Sequence, residues 1–421
     1  MQCKFVAPGI ETAGYRIEIK RNLYIKAVAE AAAFFKVFIN PTRLAKPIFL
    51  RYTAQQTEDK KHVGRGSMTQ ERPLKGGEKS MGKVCTALAV IAVLTMILAT
   101  GMGPVTVAPL TTAKILISRI PLVGNLIDHS WQQLDENIIL GLRLPRVCLG
   151  LVVGASLAVC GVTMQALVRN NLADPFILGV SSGAAAFATL GMLFGAFSFL
   201  GTYSLSISAF IGSAVTIIFV YMISRVRGRI NIMQLLLSGV AISMIMDGIT
   251  SIIKLSAPNA LGLHNAEFWM SGSLAGAKWA YLTLPLAVLL ICMTVLMINY
   301  RGLNLLLLGE ESAGALGVNV SRLQKMLVLL TSLMAGVTIA VSGTIGFVGL
   351  MVPHFTRLWV GGDHKRVLPV SALLGGILVV WVDVAARCLI APEEMPVGVL
   401  TAVIGGPMFI WMLKKRGGQR A

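Results

Sequence analysis

The sequence has few charged residues, and acidic residues are especially scarce. Of its 421 residues, 13% are charged, against roughly 25% in a typical soluble domain. The 19 acidic residues are outnumbered by 37 lysines and arginines, and 55% of the chain is hydrophobic. Such a composition excludes a soluble globular protein and predicts long apolar segments placed in lipid.

Motifs for enzymatic chemistry are also missing. No G-x-x-x-x-G-K-[ST] loop for ATP phosphates occurs, and no nucleophile with an accompanying base is readable. His354 follows Pro353 without a second metal-ligating residue nearby in the sequence. The cysteines form no C-x-x-C pair, so we interpret them as apolar packing residues. They are Cys3, Cys85, Cys148, Cys160, Cys292 and Cys388. We therefore predict no catalytic site, no cofactor and no bound metal.

Apolar residues are gathered in ten runs of about 17 to 25 residues, the length at which a helix crosses a bilayer. The runs lack the strict alternation of a β-barrel. The fold class is therefore predicted to be all-α and polytopic. The ten predicted spans are 84–101, 145–166, 174–195, 204–224, 233–253, 279–299, 323–342, 344–360, 367–387 and 396–413.

The positive charges follow the membrane topology. A formal net charge of +18 could indicate a nucleic-acid partner, but the basic residues concentrate in the first 83 positions and in short loops. Alternate loops are the more basic ones, as the positive-inside rule requires. This distribution predicts a multi-pass protein of the cytoplasmic (inner) membrane with both termini in the cytoplasm. The partner predicted from it is membrane lipid, with no nucleic acid.

Residues 1–83 form a basic N-terminal extension that differs from the rest of the chain. Two interpretations stay open: Ala27 to Ile39 forms a short amphipathic helix on the membrane surface, or translation starts at Met68 or Met81. We therefore expect the extension to be either poorly ordered or the product of a misassigned start. The first span has no clear cleavage site after it and is predicted to stay uncleaved.

Two segments of small and aliphatic residues match, Gly154 to Gly161 and Gly336 to Gly343. The first lies in the second predicted span and the second in the seventh, so their orientations are opposite. An inverted repeat of this kind is typical of transporters. The alternative is that glycine, alanine and serine recur because they allow helices to pack closely.

The loop 301–322 carries a short helix by prediction. Gly309 interrupts an apolar run, and a helix starting at Glu310 would end at Gly317, where glycine adopts the left-handed C-cap. Such a helix fits a docking element for a soluble partner, or an ordinary connector at the membrane interface.

Six longer motifs resemble a known family over about residues 84 to 416. They are R-L-P-R (143–146), Q-A-L-V-R-N-N-L-A-D-P-F-I-L-G-V-S-S-G-A (165–184), W-M-S-G-S-L-A-G (269–276), L-G-E-E-S-A-G-A-L-G (308–317), G-F-V-G-L-M-V-P-H-F-T-R (346–357) and M-P-V-G-V-L-T-A-V-I-G-G-P (395–407). In this order they resemble the permease subunits of type II ABC importers, which serve iron-siderophores, haem and vitamin B12. Asn171 replaces the family's usual proline, and we expect only a local change in the turn.

The resemblance implies a ten-helix permease domain at 84–416 and a coupling loop at 301–322. It also implies four kinds of partner contact: a second permease subunit, identical or paralogous; two cytoplasmic ATPase subunits; an extracytoplasmic substrate-binding protein; and lipid. The ATPase-coupling residues would be Leu308, Gly309, Glu310, Ser312, Ala313, Leu316 and Gly317. Arg143, Arg146 and Arg387 would face the binding protein, and Gln165, Ser181 and Ser182 are candidates to line the passage.

Ionisable residues inside the predicted spans are few. Asp383 and Arg387 stand four apart, which predicts an ion pair within one helix. Asp247 has no evident partner, and either a buried hydrogen bond or a place in the transport pathway would account for it. An ion-gradient-driven secondary transporter is the alternative function, although such proteins usually carry more intramembrane carboxylates. For cargo, the family favours an iron-siderophore, with haem or cobalamin as other candidates.

Overall fold

The computed structural model describes residues 76–105, 107–119, 131–226 and 229–417. The predicted N-terminal extension up to residue 75, including the proposed helix from Ala27 to Ile39, lies outside these residues. The described part is almost entirely helical. The α-helices are α1 Gly76–Gly101, α2 Pro109–Ser118, α3 Gln133–Asn137, α4 Leu144–Val168, α5 Val180–Phe194, α6 Ser204–Ser224, α7 Ile232–Leu255, α8 Ala260–Met270, α9 Thr283–Ile298, α10 Tyr300–Leu306, α11 Glu310–Ala315, α12 Val320–Ser342, α13 Val348–Val360, α14 His364–Cys388 and α15 Val397–Gly417.

Short irregular elements join these helices. A π-helical turn over Ile138–Arg143 leads directly into α4, and 3₁₀ turns occupy Pro175–Leu178, Ser198–Tyr203 and Trp279–Tyr281. Between α6 and α7, β1 (Arg225–Val226) and β2 (Arg229–Ile230) form a small antiparallel hairpin in which Arg225 pairs with Ile230.

Eight helical stretches within the described residues are long and apolar enough to cross a membrane. Each coincides with a predicted span, which confirms the all-α polytopic fold. They are Met81–Gly101, Gln133–Val168, Ser198–Ser224, Ile232–Leu255, Trp279–Ile298, Val320–Ser342, His364–Cys388 and Val397–Lys414.

The other two predicted spans, 174–195 and 344–360, contain shorter helices. In the first, the Asp174 carboxylate accepts the N–H of Phe176 and starts a 3₁₀ turn, and Gly179 at φ +77° separates that turn from the 15 residues of α5. In the second, Gly343 at φ +64° and Phe347 at φ +65° separate α12 from the 13 residues of α13. Each of these two apolar runs thus concealed one backbone break, at Gly179 and at Phe347.

Helix α4 lies at the centre of the fold and packs against α12, α13 and α14. Almost every residue from Pro145 to Leu167 is buried. At two crossings the contact is between backbones: a Cβ on Gly161 would lie 1.8 Å from the carbonyl oxygen of Gly349, and one on Gly154 would lie 2.1 Å from that of Gly375. Only glycine permits this approach.

The two copies of the repeat lie in α4 and α12. Arg169 at the end of α4 and Val320 at the start of α12 line one groove, so the two helices run in opposite directions. The Cys160 thiol donates to the Thr331 carbonyl at 3.6 Å and links the two helices. The predicted inverted orientation is confirmed.

Candidate functional site

Helix α11 has the boundaries and the cap that the sequence predicted. Gly309, at φ +109°, precedes the helix, and Gly317, at φ +87°, follows it. The Val318 N–H reaches the Ala313 carbonyl at 3.0 Å and the Gly317 N–H reaches Gly314 at 3.0 Å. This pair of bonds is the Schellman motif, which satisfies the last carbonyls of the helix.

Large apolar side chains flank α11 on its exposed side. Leu308 is 63% exposed and Leu316 is 61% exposed, whereas Ala313 is fully buried. Glu311 and Ser312 are also exposed. A short helix with one anchored face and leucines open at its two ends has the character of a surface that a partner covers.

The loop around α11 is tied to two of the long helices. Glu310 accepts a hydrogen bond from Arg169 at 3.3 Å, and Arg169 is the left-handed residue that ends α4. Further back, the Asn304 amide donates to Asp363 at 2.7 Å and accepts the backbone N–H of His364 at 2.9 Å, where α14 begins. In the sequence, Arg169 appears only as one residue of the 165–184 motif, since nothing local shows a partner 141 residues away.

Two carboxylates outside the long helices have shifted pKa values. Removal from water raises the pKa of Asp174 to about 6, against the lowering effect of the Phe176 N–H. On α8, a hydrogen bond from Lys254 lowers the pKa of Glu267. The Lys254–Glu267 pair, at 2.7 Å, joins the end of α7 to α8.

Three arginines meet at the opposite end of α4. Arg146 binds Asp383 at 2.9 Å and Glu394 at 2.9 Å. Arg387 binds the other Asp383 oxygen at 3.1 Å. The predicted ion pair between Asp383 and Arg387 is confirmed.

Backbone carbonyls also accept hydrogen bonds from these arginines. Arg143 donates to the Gly101 carbonyl at 3.0 Å and Arg387 to the Met102 carbonyl at 3.3 Å.

These arginines do not form the exposed face that the sequence led us to expect. Arg143 and Arg146 are 7% exposed and Arg387 is 2% exposed. Their guanidinium groups are turned inward because two carboxylates and the free carbonyls at the end of α1 accept their hydrogen bonds. Docking of a binding protein at Arg143, Arg146 and Arg387 remains a prediction. The ion pairs of Arg146 with Asp383 and Glu394 are what the sequence did not reveal.

The candidate pathway residues separate into two groups. Gln165 is 1% exposed and packs against α13, where it donates to the Gly349 carbonyl at 3.4 Å and accepts from Arg357. Its place beside the passage remains a prediction. Ser181 and Ser182 lie partly exposed in the first turn of α5, and their role remains a prediction.

Asp247 is exposed on α7, so one of its two interpretations, a buried hydrogen bond, was wrong. Val240, Met244 and Ser251 share its side of the helix and are also exposed. An exposed carboxylate within a membrane-spanning helix is costly in hydrocarbon, and such residues usually face a bundle interior or a water-filled cavity.

Two of the quoted motifs, 269–276 and 395–407, meet at a glycine contact beside the end of the second repeat copy. The Ser273 N–H donates to the Ser342 carbonyl at 2.8 Å, and the Gly398 N–H donates to the Gly272 carbonyl at 3.2 Å. A Cβ on Gly272 would lie 2.4 Å from the Thr344 oxygen. The motifs therefore mark the points where distant segments of the chain touch.

Known proteins are similar to this chain in sequence and in fold. The chain is 42% identical over 287 residues to the hemin transport system permease of Yersinia pestis, covering 68% of this chain and 85% of that protein. It is 39% identical to an Fe(3+) dicitrate transport permease of Escherichia coli, covering 70% and 91%. A cobalamin import permease of Halobacterium salinarum is 40% identical, with 65% and 73% covered.

Among solved structures, an inward-facing metal-chelate type ABC transporter superposes with a TM-score of 0.68 at 30% identity, covering 79% of this chain and 99% of that one. The model of the FecCD transport family matches residues 90–415, a range that holds α11, the arginine cluster and the glycine contacts. The chain belongs to the FecCD transport family.

Proposed function

We propose that this chain is the permease subunit of an ATP-binding-cassette importer and carries an iron chelate into the cytoplasm by alternating access. A siderophore complex is the first candidate cargo, with haem or cobalamin as the others. The names of the similar permeases support an iron chelate or a comparable large metal complex. Hydrolysis of ATP belongs to two separate cytoplasmic subunits.

The attachment of α11 to the membrane helices is the observation that carries this proposal. A partner that binds the exposed Leu308 and Leu316 would displace α11 and with it Glu310. Because Glu310 pairs with Arg169 at 3.3 Å, α4 would move as well. The bonds from Asn304 would pass the displacement to α14. Closure of the ATPase dimer thereby reaches the helices that pack at the centre of the fold.

A second permease subunit, identical or paralogous, completes the passage. Asp247 and Ser251 supply polar groups on the exposed side of α7, which suits the wall of a cavity between two subunits better than contact with lipid. At the outer end, a loaded binding protein docks near the arginine cluster, where Glu394 is 30% exposed and keeps Arg146 close to the surface.

Reconstitution tests the proposal directly. Proteoliposomes that contain this chain and its ATPase should take up a radiolabelled ferric siderophore only with ATP and the loaded binding protein present. Glu310→Arg should abolish uptake while leaving the amount of folded permease unchanged. Uptake without the ATPase, abolished by an uncoupler, would instead establish a secondary transporter.

A further inference from the structure

An open groove of about 1280 Å³ lies beside α11. The hairpin between α6 and α7 forms one wall, the start of α12 forms the floor, and α11 forms the other wall. Its lining includes Arg169, Arg229, Met233, Glu311, Ser321 and Gln324. The contacts proposed above for the ATPase and the binding protein do not involve the hairpin residues that line this groove.

Two long helices begin at this groove. Asn231 caps α7 by accepting the Gln234 N–H at 3.2 Å, and Asn319 caps α12 by accepting the Arg322 N–H at 3.0 Å. Each cap satisfies one N–H of the first turn and leaves others directed outward. The positive ends of two helix dipoles therefore converge on one space.

The charged side chains add to this positive character. Among the described residues, no carboxylate lies within ion-pair distance of Arg229, which is exposed at the rim. Arg169 neutralises Glu310 across the groove. Glu311 on α11 is the carboxylate that opposes an anion here.

A buried amide supplies an independent indication of a ligand. Gln324 is 2% exposed and lines the groove, and its side-chain nitrogen has no hydrogen-bond partner among the described residues. A buried donor without an acceptor is unfavourable. An oxygen acceptor entering the groove would remove that cost.

Apolar surface continues from the groove along the membrane. Met233 is 65% exposed, and Leu237, about one turn further along α7, is 62% exposed. A ligand with an anionic head and a hydrocarbon tail matches both parts of this surface.

We propose that the groove binds the phosphate headgroup of an anionic phospholipid. Arg229, the first turns of α7 and α12 and the Gln324 amide hold the phosphate, and an acyl chain lies along Met233 and Leu237. Assignment to the cytoplasmic leaflet rests on the proposed function, whereas lipid binding itself does not. Basic pockets between membrane helices are known to bind such headgroups.

Native mass spectrometry of the full-length permease in detergent tests this, without ATPase or nucleotide. Phosphatidylglycerol should bind more tightly than phosphatidylcholine, and Arg229→Gln should weaken phosphatidylglycerol binding about fivefold. Gln324→Leu should weaken it as well, and Glu311→Gln should strengthen it. Arg301→Gln, on α10 and away from the groove, is the matched control and should change nothing.

Equal binding of the two lipids, or no effect of Arg229→Gln, would overturn the proposal. Inorganic phosphate that competes as well as phosphatidylglycerol would assign the site to a free anion and also overturn it. Variants that keep lipid binding but lose ATP-driven uptake would assign the groove to the ATPase. Because the measurement needs no ATPase, it can fail while the transport proposal stands, and the reverse also holds.

Discussion

Arg146 and Asp383 lie 237 positions apart in the sequence and form a buried ion pair at 2.9 Å. The same carboxylate also binds Arg387 at 3.1 Å. One aspartate thus compensates two guanidinium groups that are almost completely removed from water. Removing one member of such a cluster exposes the others to the full cost of an uncompensated buried charge.

Asp383→Asn is therefore expected to destabilise the protein strongly, by about 3–5 kcal/mol. Thermal unfolding of the detergent-purified protein measures the loss. Glu394→Gln should cost less because that side chain is 30% exposed. Arg119→Gln, which breaks an ion pair whose arginine is 63% exposed, is the control and should change stability by about 0–1 kcal/mol. An Asp383→Asn protein as stable as this control would contradict the expectation.

The glycine crossing between α4 and α13 gives a second prediction. Gly161→Ala places a methyl group 1.8 Å from the Gly349 oxygen, so the helices must separate. We expect a loss of at least about 1–3 kcal/mol, seen as less monodisperse protein on size-exclusion chromatography and a lower unfolding temperature. Gly248→Ala, in α7 with nothing within 4 Å of the added Cβ, should be tolerated. Equal behaviour of the two variants would show that the crossing is not tightly packed.

Exchange of charges tests the link between α11 and α4. Glu310→Arg and Arg169→Glu should each abolish ATP-driven uptake, because each places like charges where the pair at 3.3 Å now stands. The double variant restores an opposite pair and should recover part of the uptake. Stability should change little, since both side chains are about 40% exposed and such pairs contribute about 0–1 kcal/mol. Absence of any recovery would mean that the two residues act separately.

Thiol labelling tests the surroundings of Asp247. In a cysteine-free background, a cysteine at position 247 should react with a membrane-impermeant maleimide in proteoliposomes. A cysteine replacing Ile252, which is 66% exposed and about 140° further round α7, should face lipid and stay unlabelled. Protection of both positions from the reagent would remove the basis for a water-filled cavity along α7.

Local chemistry made some features predictable. The apolar runs located every long helix, and the glycine after a short polar helix located the end of α11 at Gly317. Helix breaks inside apolar runs were missed because Gly179 and Phe347 adopt positive φ without any change in hydrophobicity around them. Span lengths were therefore overestimated at α5 and α13.

The sequence did not reveal which residues form ion pairs and hydrogen bonds with partners far away along the chain. The resemblance grouped Arg143, Arg146 and Arg387, but the sequence did not show that Asp383 and Glu394 bind Arg146. Nor did it show that carbonyls at the end of α1 bind Arg143. The bonds of Gln165 to α13 were also not predicted, because spacing along one helix does not reveal which neighbour covers a residue. For the same reason, the sequence did not reveal that Arg169 pairs with Glu310.

The bare backbone contacts of α4 have a mechanical consequence. Where Gly154 meets Gly375 and Gly161 meets Gly349, no layer of side chains exists that could change rotamer and let one helix slide along another. Helices α4, α13 and α14 should therefore shift as a single rigid block whenever the protein changes shape. Rearrangement would then occur mainly between that block and the helices around it.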